Sequence, residues 1–222
     1  MHAEIEGNPI FKSLTEEQKR EYTDKFDHHT KEIEMNPNDD NAYRNRGHVY
    51  FDIGEKEKAI ADLNMAVKLN PSYQNIYERG HMFGSIGKHD DALADFNKLV
   101  EMDPNDFNSY YSRGYEYLEN NNFHKAILDF NLLVKLHPQD SLAYNSRGYA
   151  YGCAGQYKKS IADFNSAIDM GDPYSYVERA EIYAKLGKKQ KTITDYKEFL
   201  RLSQDPEMVQ QVKQKLEKLI NK

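Results

Sequence analysis

The sequence predicts an all-α fold, a solenoid of antiparallel helix hairpins, and three observations predict it. One set of residues recurs five times along the 222-residue chain at intervals of about 34. Within each copy, apolar and small residues fall three to four positions apart, the spacing of a single buried helix stripe. Midway through each copy stands a Gly or an Asn, the residues that most readily end a helix in the left-handed conformation.

Aligned on Gly47, Gly80, Gly114 and Gly148, with Ala180 in the fifth place, the copies agree position by position. Three residues after each anchor stands an aromatic, Tyr50, Phe83, Tyr117, Tyr151 or Tyr183. Seven after it comes the helix stop, Gly54, Gly87, Asn121, Gly155 or Gly187. Twelve after it is a small residue, Ala59, Ala92, Ala126, Ser160 or Thr192, and sixteen after it a large one, Leu63, Phe96, Phe130, Phe164 or Tyr196. Anchor and small residue are expected to let two helix backbones approach, while the large residues fill the space between hairpins. Pro37, Pro71, Pro104, Pro138, Pro173 and Pro206 punctuate the copies, each expected to end one unit and open the first turn of the next.

The expected organisation is an N-terminal cap or degenerate repeat over 1–36, five units over 37–70, 71–103, 104–137, 138–171 and 172–205, and a capping helix over 206–222. Polar covers are needed because the end helix of a stack otherwise exposes its apolar face. At the C-terminus, Met208, Val209, Val212, Leu216, Leu219 and Ile220 form one stripe, with lysines and Glu217 off it. At the N-terminus, Ser13 and Glu16 match a capping box, followed by Tyr22, Phe26, Ile33 and Met35 at helical spacing. This segment reads as a degenerate unit rather than one long helix, because "HTKEIEMNP" mimics the "NMAVKLNP" that closes the first unit. The fifth unit is irregular at its start, around Asp172 and Pro173, and its first helix is expected to be short or differently tilted.

These residues resemble the tetratricopeptide repeat family over 37 to about 206. The usual early Trp is replaced by Tyr43, Ile76, Tyr110, Tyr144 and Tyr176, and the residue before the anchor is Arg where the family often has Leu. The resemblance implies a right-handed superhelix of helix pairs whose concave side, built mainly from first helices, holds a peptide or helix of another protein. It also implies which side chains line that groove: Arg44 and His48, Tyr77 and His81, Tyr111 and Tyr115, Asn145 and Tyr149, Val177 and Glu181, with Asn41, Asn108 and Ser112 beside them. Tyrosine suits such a surface, since it offers large area and a polar tip at little entropic cost. The other first-helix tyrosines, Tyr43, Tyr50, Tyr110, Tyr117, Tyr144 and Tyr151, read as packing between helices. Family members that grip acidic chaperone tails use a carboxylate clamp of Lys, Asn and Arg; the corresponding Arg44, His48, Glu78, Asn108 and Ser112 do not reproduce it, so that ligand is not expected.

The arginines themselves are periodic. Arg46, Arg79, Arg113, Arg147 and Arg179 are each followed sixteen residues later by Asp62, Asp95, Asp129, Asp163 or Asp195. That spacing pairs the first helix with the second within a hairpin, or with a neighbouring hairpin, and reads as a ladder of structural ion pairs rather than a row aimed at an acidic ligand.

Little in the chain points to catalysis: no Gly-rich phosphate loop, paired-His zinc helix or nucleophile elbow occurs. His28, His29 and Glu32 lie within one turn but read as a solvated helix face. Cys153, the single cysteine, reads as a small packed thiol and excludes an intramolecular disulfide. A net charge of -6 disfavours a nucleic-acid or anionic-membrane binder. The charge is uneven: ten Lys and Arg against five Asp and Glu from Lys185 to Lys222 make that end basic. No apolar run approaches membrane length, and the opening residues lack a leader pattern, so a cytoplasmic location is expected. No cofactor or metal is expected. The function expected is a non-catalytic adaptor or scaffold binding a partner segment; the alternative is a homo-oligomer assembled through terminal helices or the convex face.

Overall fold

The computed structural model describes residues 3–221, and among them it contains only helices, joined by short turns. Two compact units are formed, 1–109 and 110–222. The first holds α1 (Ala3–Glu6), α2 (Pro9–Ser13), α3 (Glu16–Met35), α4 (Asp40–Asp52), α5 (Lys56–Leu69), α6 (Tyr73–Ser85) and α7 (His89–Met102). The second holds most of α8 (Phe107–Glu119), then α9 (Phe123–Leu136), α10 (Ser141–Cys153), α11 (Tyr157–Asp169), α12 (Tyr174–Lys185), α13 (Lys189–Leu202) and α14 (Pro206–Ile220). Within them α4 and α5, α6 and α7, α10 and α11, and α12 and α13 pack as hairpins, and α5, α9 and α11 also pack on α6, α10 and α12, the first helices that follow. The architecture is that of an α-solenoid.

Backbone chemistry makes the hairpins. The stop residue takes a positive φ in each, including Asn121 at +55°, where a non-glycine pays least for it. Its N–H and the next one close the helix in a Schellman pattern: Gly54 donates to the Phe51 carbonyl and Glu55 to the Tyr50 carbonyl, and the same two bonds recur at Asn121 and Asn122. The second helix then starts without delay. First helices instead begin at side-chain caps such as Asp39, Ser72 and Asp140. Pro37, Pro71, Pro104 and Pro138 lie ahead of those helices, in the linking turns, and do not open the first turn as expected; Pro206 does, and Pro173 is itself the cap of α12.

The anchor glycine has a different neighbour from the one expected. A methyl at Gly114 would come within 2.6 Å of the Phe130 ring, so it is the large residue sixteen positions on that requires the glycine. Only at Gly47, where that residue is Leu63, is the nearest atom the carbonyl of the small residue, Ala59, at 3.2 Å. The bulky side chain is thus seated directly on the first-helix backbone and is fully buried, as Phe96, Phe130, Phe164 and Leu63 all are.

All five arginine–aspartate pairs form, and all lie within hairpins. Arg46 Nε and a terminal nitrogen donate to the two Asp62 oxygens at 2.8 and 2.9 Å, and the same fork recurs at Arg79–Asp95, Arg113–Asp129, Arg147–Asp163 and Arg179–Asp195. The aspartates are buried and the arginines half-buried. The remaining arginine nitrogen reaches back to the preceding hairpin, from Arg79 to Asn64 at 3.1 Å, from Arg147 to Asn131 at 3.1 Å, and from Arg179 to Asn165. The tyrosines read as packing residues flank these guanidinium groups, with Tyr43 and Tyr50 about Arg46 and Tyr144 and Tyr151 about Arg147.

The ends differ in detail from expectation. α3 is one helix of 20 residues, and its capping box is Thr15 with Gln18; the Ser13 hydroxyl is taken by the Ile10 carbonyl in α2. Phe26 is buried against Tyr50, but Met35 is exposed. Ahead of α12, Gly171 at φ +92° ends α11, and α12 is only one residue shorter than its equivalents. α14 buries Val212 and packs Met208, Val209 and Leu216 onto the core with Val177, Tyr196 and Phe199, leaving Ile220 exposed.

Replacing Asp163 by Ala should cost about 3 to 5 kcal/mol, because it strands a half-buried guanidinium; the urea unfolding midpoint measures it. A double-mutant cycle over Arg113 and Asp129 should return a coupling of about 1 to 3 kcal/mol, and zero coupling would contradict the role given to the pairs. Gly114→Ala should lose about 1 to 3 kcal/mol by displacing the Phe130 ring, read from the same unfolding curves.

Candidate functional site

On each first helix the anticipated groove residues lie one turn apart, and the structure divides them by what they bond. Arg44 and Asn145, three before their anchors, hold the next hairpin. In the first unit, Arg44 donates to buried Asn75 at 2.8 Å and to Asn41 at 2.8 Å. Asn75 in turn donates to Asp40, to the Ala66 carbonyl and to the Asn70 carbonyl. In the second unit, Asn145 donates to Ser175 at 2.7 Å and to Asp172 at 3.3 Å. Val177, expected to line the groove, is buried in the α12–α14 core instead. It occupies this same stacking register, and the helix next to it presents Val212 rather than a polar partner. Ser112 is likewise buried.

Residues one after the anchor face outward. His48 Nε2 lies 2.5 Å from Glu78. His81 is exposed at one edge, while its ring packs on Tyr77 and Phe96 at 4.4 and 5.1 Å; this desolvation lowers its pKa, opposed by the charge of Glu78. Tyr77 also stacks on Tyr73, whose hydroxyl donates to Asp106 and is pushed by burial up to about 12. In the second unit Tyr111 and Tyr115 lie 4.7 Å apart, the Tyr115 ring edge meets Phe130, and its hydroxyl is 3.5 Å from that of Ser146. Tyr149 is 41% exposed. The ring surfaces of Tyr77, Tyr115 and Tyr149 therefore supply contact area, while Arg44 and Asn145 are spent on stacking.

At the far end of the second unit, Glu181 stands beside Glu178, a residue that the sequence did not single out. Burial tends to raise the Glu181 carboxyl, but hydrogen bonds from Lys215 and Tyr196, each at 2.7 Å, outweigh it and hold it below the ordinary value. Glu178 is half-buried on the same helix, and burial pushes its carboxyl up, with the charge of Glu181 adding to the effect. Cys153 is exposed rather than packed; desolvation of its sulfur raises its pKa, which does not favour a thiolate nucleophile. The signal missed in the sequence was periodic as well: Asn64, Asn131 and Asn165 each stand two residues after the paired aspartate.

Among the described residues, one group of donors could hold a metal ion. His28, His29 and Glu32 place three donor atoms within 4.8 Å of one another, the carboxylate being shared by both rings at 3.3 and 2.9 Å. Three donors on a single helix turn, with His28 exposed, leave water to complete any coordination sphere. No helix among the described residues is long and apolar enough to cross a membrane.

Sequence profiles of the tetratricopeptide repeat match residues 41–73, 73–106, 96–127 and 173–206, together more than half of the chain. A search of curated protein sequences finds no match at a significant level. Among solved structures, a tetratricopeptide repeat protein from Parabacteroides merdae is similar with a TM-score of 0.67 and 20% identity, over 92% of this chain and 80% of that one. MamA from Desulfovibrio magneticus has a TM-score of 0.59 and 22% identity, over 73% and 92% of the two chains. YrrB, described as a repeat protein with an unusual peptide-binding site, has a TM-score of 0.57 and 18% identity, over 84% and 97%. At these identities the structures testify to the fold, and the repeated anchor, stop and packing residues testify to the same. The chain belongs to the tetratricopeptide repeat family.

Proposed function

We propose that the protein is a non-catalytic interaction module, an adaptor or scaffold that holds a peptide or helix of a partner along the first-helix faces of its units. The observation that carries this reading is the separation between bonded and unbonded residues. Arg44 and Asn145 are consumed by hairpin-to-hairpin hydrogen bonds, whereas the Tyr149 ring is exposed and those of Tyr77 and Tyr115 are half-buried. Exposed tyrosine on a rigid helical face is the residue type that most often dominates an interface. The peptide-binding site of YrrB, in a chain of the same fold, is consistent with it. Self-assembly is the alternative, with exposed Leu202 and Ile220 near the C-terminal end as its apolar contacts.

A Tyr77→Ala, Tyr111→Ala, Tyr149→Ala variant, its helicity checked by circular dichroism, should lose partners that the wild type captures from native lysate. Equal capture by both would sink the groove assignment. Growth of molar mass with concentration in light scattering, with no other protein captured, would favour the homo-oligomer.

A further inference from the structure

Within the second unit, the stacking register of the first helices has an unfilled place. The residue one after an anchor meets the residue two before the next anchor: His48 meets Glu78 in the first unit, and Tyr115 meets Ser146 in the second. At the following step the pair is Tyr149 and Glu178, and it does not close. The Tyr149 ring is exposed, and no hydrogen bond or ion pair to Glu178 is found among the described residues. Where Glu78 has an imidazole, Glu178 has only a ring beside it. Its charged neighbours offset this only in part: Asp172 and Glu181 are acidic, Lys215 is bonded to Glu181, and Lys185 acts on it without a bond.

Exposed apolar residues share the helix faces that carry Tyr149 and Glu178. Leu142 lies two helical turns before Tyr149 on α10, and Tyr174 one turn before Glu178 on α12; all three apolar residues are exposed. An acidic group set among exposed rings is complementary to a long cationic side chain, whose methylenes pack on aromatic surface while its head finds the charge.

We propose that residues 110–222 recognise a basic peptide segment, seating a lysine or arginine of the ligand against Glu178 and the Tyr149 ring, with a flanking apolar side chain on Leu142 or Tyr174. This rests on the reading of the protein as a peptide-binding module and adds the chemistry of the partner. The ligand cation takes the part that His48 plays for Glu78.

The test is a positional-scanning library of short peptides, blocked at both ends, offered to the immobilised full chain at physiological salt. One position is fixed in turn as Lys, Arg, Gln, Leu or Glu. The wild type should retain the Lys and Arg pools at least about tenfold over the Glu pool. Glu178→Gln, which keeps shape and removes charge, should abolish that difference. Glu178→Lys should reverse it toward the Glu pool, a gain that misfolding cannot imitate. Retention without basic preference, or a preference unchanged in Glu178→Gln, overturns the proposal and leaves the interaction module standing. Retention of no pool by the wild type overturns both.

Discussion

The bidentate bond between an arginine and an aspartate sixteen residues on is the constraint from which the rest of each hairpin follows. Guanidinium and carboxylate are planar, so two parallel hydrogen bonds at 2.6 to 2.9 Å fix the roll of one helix against the other as well as their separation. Apolar contacts alone do not fix roll, because Leu or Phe tolerates a few degrees of slip. Desolvating both ions offsets much of the attraction, so the pairs contribute more to register than to net stability. The third nitrogen, reaching Asn64, Asn131 or Asn165 in the hairpin before, carries the same orientation from one hairpin to the next within a unit.

Once roll is fixed, the packing at the anchor has one solution. The large residue next to the aspartate is driven onto the first-helix backbone, and a ring there leaves no room for a Cβ at Gly80, Gly114 or Gly148. Gly47 faces Leu63 and is limited instead by the Ala59 carbonyl, so glycine serves two different close approaches in one repeat. Ala180 faces Tyr196, whose hydroxyl reaches Glu181, and this ring is accommodated beside a methyl group.

The hairpins were legible in the sequence because their determinants are local: the stop residue, the anchor and the ion pair all act within one unit and repeat five times. What was not legible depends on neighbours. Ser13 and Thr15 both head a plausible capping box, and the choice turns on α2, where Asn8 caps the start and Ser13 closes the end. Val177 stands at a position held elsewhere by Arg44 and Asn145, yet α14 rather than another polar hairpin lies against it. Cys153 was read from its small neighbours as packed, whereas the end of α10 leaves it at the surface. For the candidate site, the family resemblance pointed to a face of the first helices but could not say which of its residues are bonded to the next hairpin.

On the proposed reading, that distinction lets one solenoid surface be both stable and selective. Pairs such as His48 with Glu78, or Asn145 with Ser175, satisfy polar groups that stacking would otherwise desolvate without compensation. A face on which every such pair closed would offer a ligand only aromatic area, which binds broadly. Selectivity enters where a pair fails, because a half-buried ion with no partner prefers a ligand that completes it. Glu181 shows the completed state within the chain itself: α14, standing where a sixth first helix would, supplies Lys215 to it and Val212 to the adjoining core. The same helix α12 therefore presents one carboxylate already matched by a lysine and another, one turn earlier, that is not.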